Sequence, residues 1–301
     1  MISNEKSKSF FAKYGTCYAF LSFWLILFIV FTIIPIAMAV GFSFTNFDMV
    51  QTPHWIGADN YLRMFLDDDV FIKAFMNTML FAVVTGPLGY ILSFGIGWLI
   101  NDLGRIPRTI LTFLFYSPSL IGASYVMWTY LFSGDAYGLI NSFLLKLGII
   151  TAPIQWLTDP SYSFYVVVVV VLWGSMGAGF LSFVAGFQSL NRSYFEAGCI
   201  DGIRNRWQEL WYITLPQMAP QLLIGAVLTI SGSFAIGAQC SALTGFPSTD
   251  YSTHTLVLHI QDYSNNRLEM GYASAVAVVL FAIMILSWMV INKAIRNLSS
   301  E

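Results

Sequence analysis

The chain has 301 residues, of which 57% are hydrophobic and only 10% charged, with 14 Lys and Arg against 16 Asp and Glu. A water-soluble domain carries about 25% charged residues, so a soluble enzyme or a basic nucleic-acid binder is excluded, and no nucleic-acid partner is expected. Three cysteines, Cys17, Cys199 and Cys240, supply neither a disulfide framework nor a metal-binding spacing.

Taken in order, the charges bracket six charge-free stretches: Lys13 to Asp48, Lys73 to Asp102, Arg108 to Asp135, Asp159 to Arg192, Glu209 to Asp250 and Glu269 to Lys293. Each exceeds the roughly 20 apolar residues that a helix needs to cross a bilayer, and each is too long for a barrel strand. The sequence therefore predicts an all-α integral membrane protein, a single transmembrane domain over 1–301. Its six helices are expected near 15–43, 74–100, 109–133, 163–190, 217–241 and 270–292. The first apolar run exceeds the core of a cleaved signal, so an uncleaved first helix is expected despite Ala37-Met38-Ala39. With the N-terminus inside, ten basic residues fall on the inner side and four on the outer, which predicts cytoplasmic N- and C-termini.

Between the first two spans, Asp59 is a candidate N-cap for a short interfacial helix, and Asp67-Asp68-Asp69 reads as a solvated loop face rather than a metal site. Pro35, Pro87 and Pro118 are expected to kink their spans or be rescued by neighbours. Segment 134–162 is apolar in pieces too short to cross. Segment 242–269 carries Gly245-Phe246-Pro247-Ser248 and two histidines. Gly174, Gly177, Gly179 and Gly186 permit close helix approach in the fourth span. The fifth span is unusually polar, which makes Ser231, Ser233 and Gln239 candidates for lining a pathway. Tyr125 and Trp128 are aromatic candidates, because sugars are held by hydrogen-bonding groups and by rings against their C–H faces.

No Asp, Glu, Lys or Arg lies within a predicted span, which speaks against ion-coupled pumps and proton relays. No Gly-Lys dipeptide exists, so a phosphate-binding P-loop is excluded. His54, His254 and His259 stand outside the spans or at their boundary, and the last two lack the i, i+4 spacing of helical metal ligands. The chain itself is thus expected to be no enzyme, with no metal and no cofactor of its own. If it moves solute under power, another chain supplies that power. A secondary transporter and a membrane scaffold or sensor remain as alternatives.

The loop between spans four and five, 191–216, stands apart. Ser193 and Glu196 have capping-box spacing, Gly202 suits a bend, Trp207, Leu210 and Trp211 follow helical spacing, and Pro216 suits a helix start. On these residues alone, an amphipathic connector and a docking element both remain open. The string Glu196-Ala197-Gly198, Gly202, then Ile213-Thr214-Leu215-Pro216 resembles the EAA loop of ABC importer permeases. The family pattern is Glu-Ala-Ala, three residues, Gly, nine residues, Ile-x-Leu-Pro. The chain departs from it twice: Gly198 replaces the second Ala, and ten residues separate Gly202 from Ile213. Asp201-Gly202, Trp207, Asn60-Tyr61, Asn77-Thr78 and the stretch 245–251 resemble carbohydrate-uptake permeases of the maltose-transporter type, in a subgroup that imports complex oligosaccharides in Gram-positive bacteria.

That resemblance implies a type I importer permease in the cytoplasmic membrane of a bacterium. Its partners would be two copies of a cytoplasmic ATPase holding ATP and Mg, a second and different permease subunit, membrane lipid, and an extracytoplasmic sugar-binding protein. It implies ATPase-coupling roles for Glu196, Ala197, Gly198, Asp201, Gly202, Trp207, Leu215 and Pro216. A permease for another small solute of the same superfamily is the nearest alternative.

Overall fold

The computed structural model describes the backbone of residues 2–120 and 125–299, and the side-chain surroundings of 14–120 and 125–293 apart from Cys17. Cys17, Lys6, Lys8, Lys13 and Arg296 as side chains, and 121–124 within the third predicted span, lie outside the described residues. The described chain is helices joined by loops, with one isolated bridge between Thr45 and Trp55.

The helices run in the predicted order. The first apolar segment comprises α1 (Ile2–Phe28) and α2 (Ile34–Phe42), joined by a π-turn at Ile29–Ile33. That turn lies just before Pro35, so the backbone absorbs the missing proline N–H by widening one turn and does not break. After a loop come α3 (Asp59–Leu66) and α4 (Asp69–Asn101), which passes through Pro87 as one helix of 33 residues. Then follow α5 (Arg105–Leu120), α6 (Tyr125–Leu131) and the short α7 (Leu139–Lys146). The fourth apolar segment is α8 (Pro160–Gly174) and α9 (Ala178–Ser189). The connecting loop holds α10 (Arg192–Ile200), α11 (Arg206–Glu209) and α12 (Leu215–Gln217). The chain ends with α13 (Ala219–Phe234), α14 (Ala238–Thr244), α15 (Leu256–Gln261) and α16 (Met270–Ser299).

Three helices are long and apolar enough to cross a membrane unbroken: Tyr14–Phe42, Asp69–Asn101 and Met270–Lys293. Three more crossings exist if bent pairs count as one span each: α5 with α6 at 91°, α8 with α9 at 41°, and the Arg206–Gln217 segment with α13 at 82°. The fourth predicted span is therefore not one rod; Ser175, Met176 and Gly177 interrupt it. The fifth starts after the bend at Met218 and breaks again at 235–237 before α14.

The helices α4, α9, α13 and α16 form the middle of the bundle. In lipid, apolar burial gives little drive for helices to associate, so close contact and hydrogen bonds must supply it. Small residues provide that contact. A methyl group at Gly89 would meet Ser175 Cβ at 3.1 Å, and one at Gly186 would meet Met218 Cε at 2.8 Å. Gly174, by contrast, faces open space. Phe183 lies fully buried between Tyr90 and Phe94, both edge-on to it.

Segment 245–269 is folded back onto α4. Asn77 Nδ2 donates to the carbonyls of Tyr251 and His254 at 2.8 and 2.9 Å, and the Leu256 amide donates to Thr78 Oγ1 at 2.9 Å. Asp59 lies in the first turn of α3 but does not cap it; the N-cap position is Ala58 and carries no side-chain bond. The nearby buried side chain is Asn60, which donates to Ser43 and Thr45 carbonyls at 2.9 Å each.

Candidate functional site

The 191–216 loop is built from local rules. Asn191 caps α10, its side chain accepting from the Ser193 amide at 3.0 Å. The predicted Ser193–Glu196 capping box does not form, because Asn191 already holds the cap two residues earlier. Glu196 instead approaches Arg192 at 3.5 Å, one turn away, with both side chains exposed. The helix ends in a Schellman arrangement: the Ile203 amide donates to the Gly198 carbonyl at 2.9 Å and the Gly202 amide to the Cys199 carbonyl at 3.4 Å. Gly202 has φ +96°, a left-handed conformation that a side chain strains. Asn205 then caps α11 through the Gln208 amide at 2.9 Å.

The two departures from the EAA pattern have local structural accounts. Gly198 is buried, and a methyl group there would stand 2.7 Å from Ile213 Cδ1 and 3.0 Å from Ile203 Cδ1. The two isoleucines occupy the volume that a second alanine would need. The tenth residue between Gly202 and Ile213 is taken up by a π-turn at Leu210–Thr214, whose Leu215 amide donates to Leu210, five residues back. A π-turn holds one residue more than an α-turn, so Leu215-Pro216 resumes its register.

The result is a two-faced element. Gly198, Leu210, Ile213 and Thr214 are buried against the protein, while Tyr194, Glu196, Ala197, Ile200 and Asp201 are exposed. Ile200 is 87% exposed, an apolar side chain offered outward beside the Glu196 carboxylate. Trp207 does not face outward alone; its ring lies 5.2 Å from Trp98 on α4. Leu215 is half-buried and Pro216 exposed at the turn into α13.

A second candidate site is a cavity of about 360 Å³ at the break between α8 and α9. Its walls come from α4 (Thr85), α5 (Ser119), α6 (Tyr125), α8 (Trp173), the break (Ser175), α13 (Thr229, Ser233) and α14 (Gln239). Of the five pathway residues expected, Tyr125, Ser233 and Gln239 line it. Ser231 is exposed away from it, since two residues along a helix turn the side chain by about 200°. Trp128 stands behind Trp173, ring centroids 5.2 Å apart, with its Nε1 buried and unpartnered.

Sequence reasoning missed Thr85, Ser119, Ser175 and Thr229. The signal was present in Thr229 and Ser233, spaced i, i+4 on one face of α13. Each of these hydroxyls, with that of Ser233, donates to a carbonyl of its own helix at 2.7–2.8 Å. Their lone pairs remain for another donor. Gln239 Oε1 also has no hydrogen-bond partner among the described residues. Among the described residues the lining holds no charged side chain, so the chamber suits an uncharged, hydroxyl-bearing solute.

Near the start of α4 lies a cluster that corrects the reading of Asp67-Asp68-Asp69 as a solvated face. Asp67 and Asp69 are exposed, but the Asp68 side chain is only 8% exposed. Its Oδ1 accepts from the Phe71 amide at 2.9 Å, capping α4. Its Oδ2 accepts from Tyr272 at 2.7 Å and Tyr263 at 3.0 Å, and His259 Nε2 lies 3.2 Å away. His254 Nε2 lies 3.4 Å from His259 Nδ1. Burial alone would raise the Asp68 carboxyl, but His259, Tyr272 and the Phe71 amide hold it well below the usual carboxylate range. Burial, reinforced by His259, pushes the His254 imidazole down to about 4. Burial and the Asp68 charge push the Tyr263 hydroxyl up to about 12.

This fold of bent helices is found in known proteins. The structure superposes on a bacterial ABC transporter chain involved in import of the acidic polysaccharide alginate, with a TM-score of 0.79 at 20% identity, covering 97% of this chain and 99% of that one. The "Probable ABC transporter permease protein YesP" of Bacillus subtilis (strain 168) is 33% identical, over 96% of this chain and 93% of the relative. The lactose transport system permease protein LacF of Rhizobium radiobacter is 29% identical, over 77% and 78% of the two chains. The family described as "Binding-protein-dependent transport system inner membrane component" matches residues 85–297, and the chain belongs to that family.

Proposed function

We propose that this permease subunit carries a neutral sugar, in particular an oligosaccharide, inward across the cytoplasmic membrane of a Gram-positive bacterium. It does so as part of an ATP-driven importer. The observation that carries the reading is the two-faced 191–216 loop within a chain of this family: one face clamps to the bundle and the other offers Glu196, Ala197 and Ile200 to a soluble partner. That partner is a pair of ATPase chains, which hold the ATP and Mg; this chain binds no cofactor and performs no hydrolysis. Gly202 sets the elbow, Gly198 lets the isoleucines close beneath it, Trp207 and the half-buried Leu215 hold the loop to the bundle, Pro216 stands at the turn into α13, and exposed Asp201 joins the outward face. The basic-residue imbalance supports cytoplasmic termini, with 1–301 as one membrane domain of six spans.

The uncharged cavity is the solute's path, with Tyr125 and Trp173 offering rings and Ser233, Thr229 and Gln239 offering hydrogen bonds. Ser231 and Trp128 stay as second-rank candidates for an open conformation. A relative named for lactose and a structural neighbour named for alginate support a saccharide, and the lack of charge in the lining favours a neutral one. A second permease chain completes the path, and a sugar-binding protein docks on the outer loops.

The test is a pull-down of the tagged chain in mild detergent, with ATP hydrolysis assayed in the eluate and the bound chains identified. An ATPase, a second permease and a saccharide-binding protein are expected. The chain eluting alone, under conditions that keep membrane complexes together, would sink the reading.

A further inference from the structure

At its loop-facing end, α4 is joined to the 191–216 loop by a cluster that the docking face does not use. Asp102 is the C-cap of α4, and Trp98 precedes it by four residues, so both project on one side of the helix end. Arg206, the first residue of α11, forms an ion pair with Asp102 and lays its guanidinium over the Trp98 ring at 4.9 Å. Trp207, the next residue, meets the same ring at 5.2 Å. Arg is suited to this double engagement, because its planar group stacks and donates at once. Trp98 also packs into the cluster of Phe183, Phe187 and Met218. From there Phe94 and Tyr90 continue the contact up α4 toward Thr85 in the cavity wall.

We propose that Trp98, Asp102 and Arg206 form a strut that converts displacement of the 191–216 loop into movement of α4, and so couples the docking face to the cavity. The proposal rests on the reading of that loop as an ATPase dock. Both charged side chains are about half exposed, 49% for Arg206 and 50% for Asp102. Exposed pairs add little to static stability. The strut's contribution is therefore register: it holds one rigid helix end against one loop. The three are positioning residues, and none of them lines the cavity. The decisive measurement is a charge-exchange cycle, which reads the coupling of the two sites directly.

The complex purified through the tagged chain is placed in lipid nanodiscs, and MgATP turnover is followed with and without its binding protein. Asp102→Arg and Arg206→Asp are each expected to lower binding-protein-stimulated turnover about tenfold while the ATPase still co-purifies at wild-type yield, and the double exchange should recover most of it. Normal stimulation in both single variants, or a double exchange no better than either, would overturn the strut.

A nitroxide on exposed Cys199, with Cys17 and Cys240 changed to alanine, reports loop mobility without any ATPase. Its spectrum should sharpen in the single variants and return in the exchange. Unchanged spectra in both singles would overturn the strut whatever the ATPase does. Sharpened spectra, with no ATPase recovered even from the wild type, would remove the docking reading, and the strut's role with it.

Discussion

The two ends of α4, about 50 Å apart for its 33 residues, are held by opposite means. At the start, the Asp68 carboxylate is buried and accepts from Tyr263, Tyr272 and the Phe71 amide. At the finish, Asp102 pairs with Arg206 in half-solvated surroundings. A buried charge tolerates no loss of partners, because water cannot replace them. A half-exposed charge exchanges its partner for water at little cost. One end of the helix is thereby fixed to α15 and α16, and the other is free to follow a loop.

Removing the acid at each end separates the two cases most sharply. Asp68→Ala strands three buried partners and should destabilise the protein by roughly 3–5 kcal/mol, the range for breaking buried charged networks. Asp102→Ala should cost no more than about 1 kcal/mol. Thermal unfolding of the purified variants in one detergent compares them, and equal losses would break the contrast.

Acid provides the next largest effect, also confined to the buried end. His254 is held neutral, its pKa depressed from 6.5 to about 4, chiefly by burial with His259 adding to it and Asp262 and Asp68 opposing. A folded pKa below the unfolded one means stability that is complete above pH 6.5 and is lost as pH falls toward 4. The shift corresponds to an upper limit of roughly 3 kcal/mol. Asp68, also depressed, loses its contribution only below the ordinary carboxylate pKa, so the His254 loss comes first on acidification. Unfolding followed from pH 7 to pH 4 should show the decline, and His254→Phe should flatten it above pH 5. An equally steep decline in that variant would assign the effect elsewhere.

The same contrast explains what the sequence revealed. Charge-free stretches located the apolar segments, because lipid imposes length and composition directly. The loop was legible because Gly202, Pro216 and the surrounding spacing act locally, although its cap proved to be Asn191 and not Ser193. The Asp68 cluster was not legible. Asp68 is 195 residues from Tyr263 and 204 from Tyr272 along the chain, and an acidic triplet in a loop gives no sign of which member turns inward. The cavity was half legible: polar residues in α13 pointed to it, but the break at Ser175–Gly177, which opens it, follows from how α8 and α9 pack.

Backbone geometry in the loop gives a smaller effect. Gly202→Val places a branched side chain at φ +96° and should cost about 1–2 kcal/mol locally. The global unfolding temperature should move little, because the loop opens without the bundle. Coupling of ATP turnover to uptake should fall. Protease sensitivity of 199–206, compared with that of the intact bundle, separates the two. A global loss as large as that of Asp68→Ala would show that the loop is part of the core.

The smallest stability change, and the most informative about function, belongs to Glu196. It is exposed and, among the described residues, pairs with Arg192, one turn back and itself exposed, so Glu196→Gln should change unfolding free energy by no more than about 0.5 kcal/mol. If the carboxylate is there for a partner, the cost appears only in the complex: weaker ATPase recovery or lower uptake per ATP, with the purified chain indistinguishable from wild type. Asp68→Asn should behave in the reverse way, lowering stability while leaving the loop free to bind. Finding both variants altered in the same property would mean that the two ends of α4 are not separable, and that the rigid end also takes part in coupling.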